Sequence, residues 1–367
     1  IPLRGQPVWY PQYLGLFFIM FLGVSLFLWN FNRWLSLFTI VCLFSAFFVT
    51  KLSPRAIMLL IQLDLGCLAS YGISRFNQEQ RKKILYTIIG FMLLQGLWIL
   101  LQRFNLDPIF NSLIDRSKDS MDGFSGSKDQ LGTYFALIFP VVLYLIPALF
   151  IIPLVGLFIA KSSFAFVAAF ISVGLYYWFI NRKIAIKIIL LSLLIGGIFF
   201  TQLEKLKSTD FLTRFAVWNK AVISTIKGEV SVQGMNKQAI ITTNPISGYG
   251  FGNFQRIFPY IPQEQNFNYA DEKFNHAHND YVELFFELGW SGLVILIGLI
   301  GSFVYRFIKS VKDKELVLYF CCLMAYLLNS MGNFLSQIAV SGMFLILFYG
   351  LYRGRRRELN GDAPVMG

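Results

Sequence analysis

The stretch that decides the reading is FNHAHNDYVELFFELGWSG, Phe274–Gly292. It opens polar, holds both histidines of the chain, His276 and His278, and runs straight into the apolar LVILIGLI of 293–300. Groups able to move protons therefore stand where a polar segment gives way to one fit for lipid. Working outward, the question is whether the rest of the chain builds a membrane frame around this boundary.

The composition says that it does. Of 367 residues, 56% are hydrophobic and 14% charged, against roughly 25% charged in a soluble domain. Mean hydropathy is +0.59. Apolar runs of about 20 residues recur, each long enough to cross a hydrocarbon core as a helix. They do not alternate apolar with polar, as the strands of a membrane barrel would. Spans are expected near 13–30, 34–50, 57–74, 84–102, 130–146, 147–160, 163–180, 184–201, 290–307, 316–333 and 336–353. The sixth is short and carries Pro147 and Pro153. The expectation is an all-α polytopic membrane protein with about eleven visible transmembrane helices, treated as one integral membrane domain over 1–367. Cys42, Cys67, Cys321 and Cys322 all fall inside apolar runs, which argues against a disulfide framework or a zinc site.

The net charge of +12 is read as membrane topology, not as nucleic-acid binding. The loops 74–83, 181–183, 305–314 and 352–358 are rich in Lys and Arg and fall on one side of the expected spans, which makes that side cytoplasmic. The opposite, outer side receives 103–129, the short Lys161–Ser163 link, 202–289 and 334–336. Residue 1 then lies outside, so a further span, the twelfth, is expected before Ile1. The long segment 202–289 is expected to be partly helical. In FLTRFAVWNKAVISTIKG (211–228), Phe211, Phe215, Trp218, Val222 and Ile226 share one helical face suited to a membrane surface. The Gly- and Pro-punctuated run 242–262 cannot be one regular element.

Several residues could carry chemistry. His276 and His278, flanked by Asn275, Asn279 and Asp280, are either polar residues at a membrane edge or a general base able to take a proton from a hydroxyl. Asp271, Glu272, Asp280 and Glu283 lie near them, but no recognised metal-ligand spacing is present. Arg214 is either a snorkelling cation or a bidentate grip on phosphate. Lys220 and Arg256, with Arg103, Arg116 and Lys128, add positive charge on the outer side, where topology does not require it; this suits an anionic substrate. The glycines of 248–254 lack the strand, the helix and the Lys of a nucleotide loop, and read better as tight turns. Glu283 and Glu287 share a helical face with Asn279, as partners of His or as a polar stripe.

These residues resemble the O-antigen ligase and O-antigen polymerase family. HNDYVELFFELGWSG is similar to its signature of His-Asn, nine residues, then Gly-x-x-Gly, here His278, Asn279, Gly289 and Gly292. Arg214 and Trp218 match its upstream Arg with a Trp four residues on, and Asn244–Phe254 resembles its Asn-Pro run of alternating glycines. The segment 126–140 looks like its entry to a span, with Gln130 or Asp129 replacing the usual Asn. The resemblance reaches from about Gln95 onward. It implies a GT-C-like glycosyltransferase that needs no metal or other cofactor. Its donor would be an undecaprenyl-diphosphate-linked glycan in the periplasmic leaflet of the membrane lipid, and its acceptor lipid A–core, another glycan or a protein. Carried over, His278 deprotonates the acceptor hydroxyl and Arg214 holds the diphosphate. His276, Asn279, Lys161, Arg256, Glu283 and Trp218 are the expected substrate-binding residues. The family usually has Ser-Arg where this chain has Lys161-Ser162-Ser163; Lys161 offers a point charge but not a fork. The rival class is a transporter of lipid-linked sugars, which would place charges midway in several spans. Only Asp64 sits well inside one.

Overall fold

The computed structural model describes residues 11–361 except 30, 51–52, 105, 107–127, 234–237, 262–275, 312 and 334–338; for 11–16, 189, 191–212, 232–233, 238–239 and 339–340 it describes the backbone alone. Arg116, Asp271 and Glu272 thus lie outside the described residues, with most of the 103–129 loop.

The helices in chain order are α1 (Pro11–Phe27), α2 (Arg33–Phe44), α3 (Pro54–Ile73), α4 (Gln78–Arg103), α5 (Lys128–Leu145), α6 (Ile151–Ala160), α7 (Ser163–Ile180), α8 (Arg182–Lys227), α9 (Phe254–Ile257), α10 (Asp280–Ile308), α11 (Lys314–Asn329) and α12 (Ala339–Leu359). Starts follow from local chemistry. Asn32 caps α2, Asn77 and Gln80 form a reciprocal capping box on α4, and Asp313 accepts from Leu316 N at the start of α11. The expected spans largely overlap helices; α11 ends at Asn329, short of the expected 333, and 336–338 lie outside the described residues. Among the described residues, α3, α4, α7 and α10 are both long and apolar enough to cross a membrane, and Phe17–Phe27, Arg33–Val49 and Pro147–Ala160 are shorter apolar helical stretches. The protein is a multi-pass helical membrane protein.

One segment differs from expectation. The span at 184–201 and the surface helix at 211–228 are parts of a single helix, α8, of 46 residues. Its length of about 69 Å is more than twice what a bilayer core requires. No Gly or Pro interrupts 198–227, and the polar LEKLKS between the two parts consists largely of helix formers. Near its end, Val217, Ala221 and Thr225 are buried whereas Phe215 and Ile226 are exposed, so the aromatic stripe points outward. A hairpin follows, β1 (Glu229–Gln233) antiparallel to β2 (Gln238–Thr242), with Glu229 opposite Thr242 and Gln233 opposite Gln238.

The chain forms two compact units. The first holds residues up to Leu68, Val217–His276 and Tyr281–Phe303. Its core joins Phe21, Cys42, Leu43, Ala46, Ala56 and Leu60 to Phe251 and Leu288. Here α10 is broken at Gly289, with φ 59° and ψ −152°, a region essentially reserved for glycine. In a continuous helix the amides of 290 and 291 would bond the carbonyls of 286 and 287. Instead Trp290 N donates to Pro245 O and Ser291 N to Ile246 O, while Tyr249 N takes Phe286 O and Gly250 N takes Glu287 O. The loop 245–250 thus replaces the two missing rungs from the side. This demands backbone close to backbone: a Cβ at Gly289 would lie 2.1 Å from Pro245 O, and one at Gly248 2.5 Å from Gly289 N. The glycines are turns, as expected.

The second unit holds Ala69–Ala216, Ala277–Asp280 and residues from Val304 on. It is built around α11, buried along most of its length from Glu315 to Asn329, with α5, α7 and α12 packed on it. Glycine permits the closest contacts: the Phe135 ring lies where a Cβ of Gly156 would be, and the Phe164 ring against Gly332.

Candidate functional site

In the second unit, Arg214, Lys161 and the His278 segment come to the end of the bundle where α11 finishes. Arg214 Nη1 donates to the carbonyl of Gly332 at 2.8 Å, and its Nη2 lies 3.7 Å from Asp129 Oδ2. The first turn of α5 is tied to the same place: Asn329 Nδ2 donates to Thr133 Oγ1 at 2.6 Å, Asn333 Nδ2 to Asn329 Oδ1 at 3.0 Å, and Thr133 Oγ1 to Asp129 O at 2.8 Å. The turn carrying Lys161 packs on Gly132, whose Cβ would lie 2.9 Å from both Ser162 and Ala165 Cβ. Asp280 N donates to Ser330 O at 3.0 Å, and Ser330 and Gly332 are at most about 7 Å apart along the chain. The backbone just past His278 and the guanidinium of Arg214 therefore bind neighbouring carbonyls of one turn.

The backbone marks the same positions. Among the described residues, Lys161 and His278 are the non-glycine residues with positive φ, both at 50°. The left-handed region is uncommon for any side chain but glycine, and such conformations gather at functional sites. Lys161 closes α6 there and is exposed; His278 is half-buried and Asn279 buried.

In the first unit, His276 stands in a chain of bonds with consistent polarity. Arg55 Nη1 donates to Gln255 Oε1, Gln255 Nε2 contacts His276 Nε2 at 2.5 Å, and His276 Nδ1 faces Glu283 Oε1 at 3.4 Å. Gln255 has only N–H to give on that side, so Nε2 accepts and the proton sits on Nδ1, facing the carboxylate. Glu283 is buried, as is Glu287, whose Oε1 accepts from Phe254 N at 3.0 Å. Tyr249 donates its hydroxyl to Ser224 O at 3.0 Å and stacks on Phe286; burial pushes its phenol up to about 12. Arg256 is exposed with Nη1 3.4 Å from Asn253 Oδ1, and Trp218 is half-buried.

The eight expected residues thus fall into two groups. Arg214, His278, Asn279 and Lys161 belong to the second unit; His276, Glu283, Arg256 and Trp218 belong to the first. Sequence reading missed Thr133, Asn329 and Asn333. Their trace was an asparagine-bearing LLNSMGN (327–333) closing an otherwise apolar helix.

In a multi-pass membrane frame, the Arg214 guanidinium and the backbone just past His278 thus meet at the turn that ends α11. Residues 148–297 match the family model described as O-antigen ligase, and over that part the chain is similar to the O-antigen ligase/polymerase family, whose members are glycosyltransferase-like enzymes. The match takes in Lys161, Arg214, the 244–254 run and His278, and stops short of 126–140. No curated protein matches the chain.

Proposed function

We propose that the protein transfers a glycan from an undecaprenyl-diphosphate carrier to a sugar hydroxyl at the periplasmic face of the bacterial inner membrane, joining O-antigen to lipid A–core. The observation that carries this reading is the Arg214 guanidinium, engaged by a carbonyl and a carboxylate 3.7 Å away, at the turn that also holds the segment after His278. A sugar hydroxyl is too weak an acid to attack unaided. His278 takes its proton as the oxygen bonds to the anomeric carbon, and the bond from that carbon to the diphosphate breaks. The leaving diphosphate gains charge, and Arg214 offers two parallel N–H donors to it. Lys161 adds a point charge at the same end, and Asn279 a polar contact next to the base. His276, Glu283, Arg256 and Trp218 are proposed to bind substrate. The fold is proposed to be GT-C-like, with the eleven helical segments as spans and the Lys/Arg-rich loops cytoplasmic.

The test is His278→Ala in cells assayed for glycan transfer. Transfer should fall about 10²- to 10⁴-fold while the purified variant still binds donor; a transporter would tolerate the change. Glycan mass spectrometry separates the acceptors. Uncapped lipid A–core with long lipid-linked polymer in cells lacking the gene supports ligation, whereas single-repeat products point to polymerisation.

A further inference from the structure

At the end of the second unit where α11 begins, the cations can be sorted by partner. Arg81 and Arg355 meet carboxylates. Arg75, Arg182 and Lys309 lie over the rings of Tyr71, Trp178 and Tyr305, at 4.8, 5.5 and 4.5 Å. Lys82, Lys183 and Lys314 are exposed and served by water. Arg306 and Arg356 fit none of these groups. Both are half-buried. No ion pair or hydrogen bond engages either side chain among the described residues, and the Nε of Arg356 is buried without an acceptor.

Their surroundings make this costlier. Arg353 feels the charges of both Arg306 and Arg356, and all three act on the phenol of Tyr352, which is 1% exposed. Arg353 and Arg356 are three apart on α12 and share a face. Gly354 lets this part of α12 close on the end of α3, a Cβ there lying 3.0 Å from Ser74 O. Like charges held together and partly out of water are unfavourable unless an anion joins them. The arrangement uses arginines, whose forked donors match phosphate oxygens. It lies at the ends of apolar helices, the depth of lipid headgroups, and basic pockets between helices are a known form of headgroup site.

We propose that Arg306, Arg353 and Arg356 form a binding site for the phosphate of an anionic phospholipid. The site is separate from Arg214 and independent of the reaction proposed above.

The test measures melting of the detergent-solubilised full chain with and without added phosphatidylglycerol, phosphatidylcholine or inorganic phosphate. Phosphatidylglycerol should raise the melting temperature by about 3 °C or more; the other two should not. Arg306→Gln/Arg356→Gln should lose at least half of that rise. Without lipid this variant should melt no lower than the wild type, because it has lost mutual repulsion. Lys183→Gln/Lys314→Gln, which removes two exposed charges from the same end, should keep the full rise. An equal rise with phosphatidylcholine, or one undiminished in the arginine variant, overturns the proposal. An equal rise with inorganic phosphate overturns the lipid as ligand. Should the double variant not fold, native mass spectrometry of the wild type decides: a retained anionic phospholipid supports the site, and loss of all such lipid refutes it.

Discussion

The arginines at opposite ends of α11, a pair at its start and one at its finish, are built on different terms. At its start, Arg81 is 1% exposed, with Nε 2.9 Å from Glu315 and Nη2 2.5 Å from Glu358. Arg355 there reaches Asp313 at 2.6 Å and Glu358 at 2.8 Å, and the Tyr319 hydroxyl donates to Glu315 at 2.6 Å. At its finish, Arg214 has a carbonyl and one carboxylate at 3.7 Å. The first cluster is closed: two cations, three carboxylates and a phenol consume one another's bonding capacity. The second leaves donors over. A saturated network fastens helices together, whereas an unsaturated one can receive something from outside.

The contrast has measurable consequences. Arg81→Ala should be the most damaging to stability. It leaves the buried Glu315 with the Tyr319 hydroxyl and the more distant Arg355, 3.5 Å away, and should cost about 3–5 kcal/mol, read as a fall in melting temperature of the purified protein. Arg214→Ala should do the reverse: transfer drops about 10²- to 10³-fold while stability changes by less than about 1 kcal/mol. A large loss of stability there would mean that Arg214 is structural, and the contrast would fail. Lys161→Ala should lower transfer by about 10-fold, the worth of one charge-assisted contact, and Lys161→Arg should restore it. The smallest effect is on acid stability. Burial of Asp313 opposes its ionisation, but the hydrogen bonds from Arg355 and from the Leu316 and Glu315 amides, together with the charge of Arg355, outweigh that and hold its carboxyl below the ordinary value. Its contribution is therefore complete above the unfolded pKa of about 4 and is lost as pH falls through the lower, folded value. Denaturation curves of Asp313→Asn should converge with those of the wild type at the acid end.

Helix positions were legible because apolar runs of membrane length leave little choice. The extent of α8 was not. Hydropathy sees LEKLKS as an exit from lipid, whereas the backbone needs only the absence of Gly and Pro to stay helical. The hairpin left a faint trace in the alternating EVSVQ (229–233) and the Gly234–Asn236 turn residues. Among the candidate residues, Arg214 and His278 could be read from residue type and spacing, and the structure brings the Arg214 guanidinium and the backbone just past His278 to one turn. That Asn329 pairs with Thr133 could not be read, since a bond across helices far apart in sequence has no local pattern. The Gly289 motif was visible as a spacing, but the reason for it, a loop docked sideways into a broken helix, depends on contacts across about forty residues.

That docking has a mechanical outcome. A bare interruption in a helix is a free swivel, but the one at Gly289 is engaged like a clutch. Four main-chain bonds would have to let go before the two halves of α10 turned separately. Whatever pushes on the glycine-rich loop is therefore transmitted along the helix axis rather than absorbed at the joint.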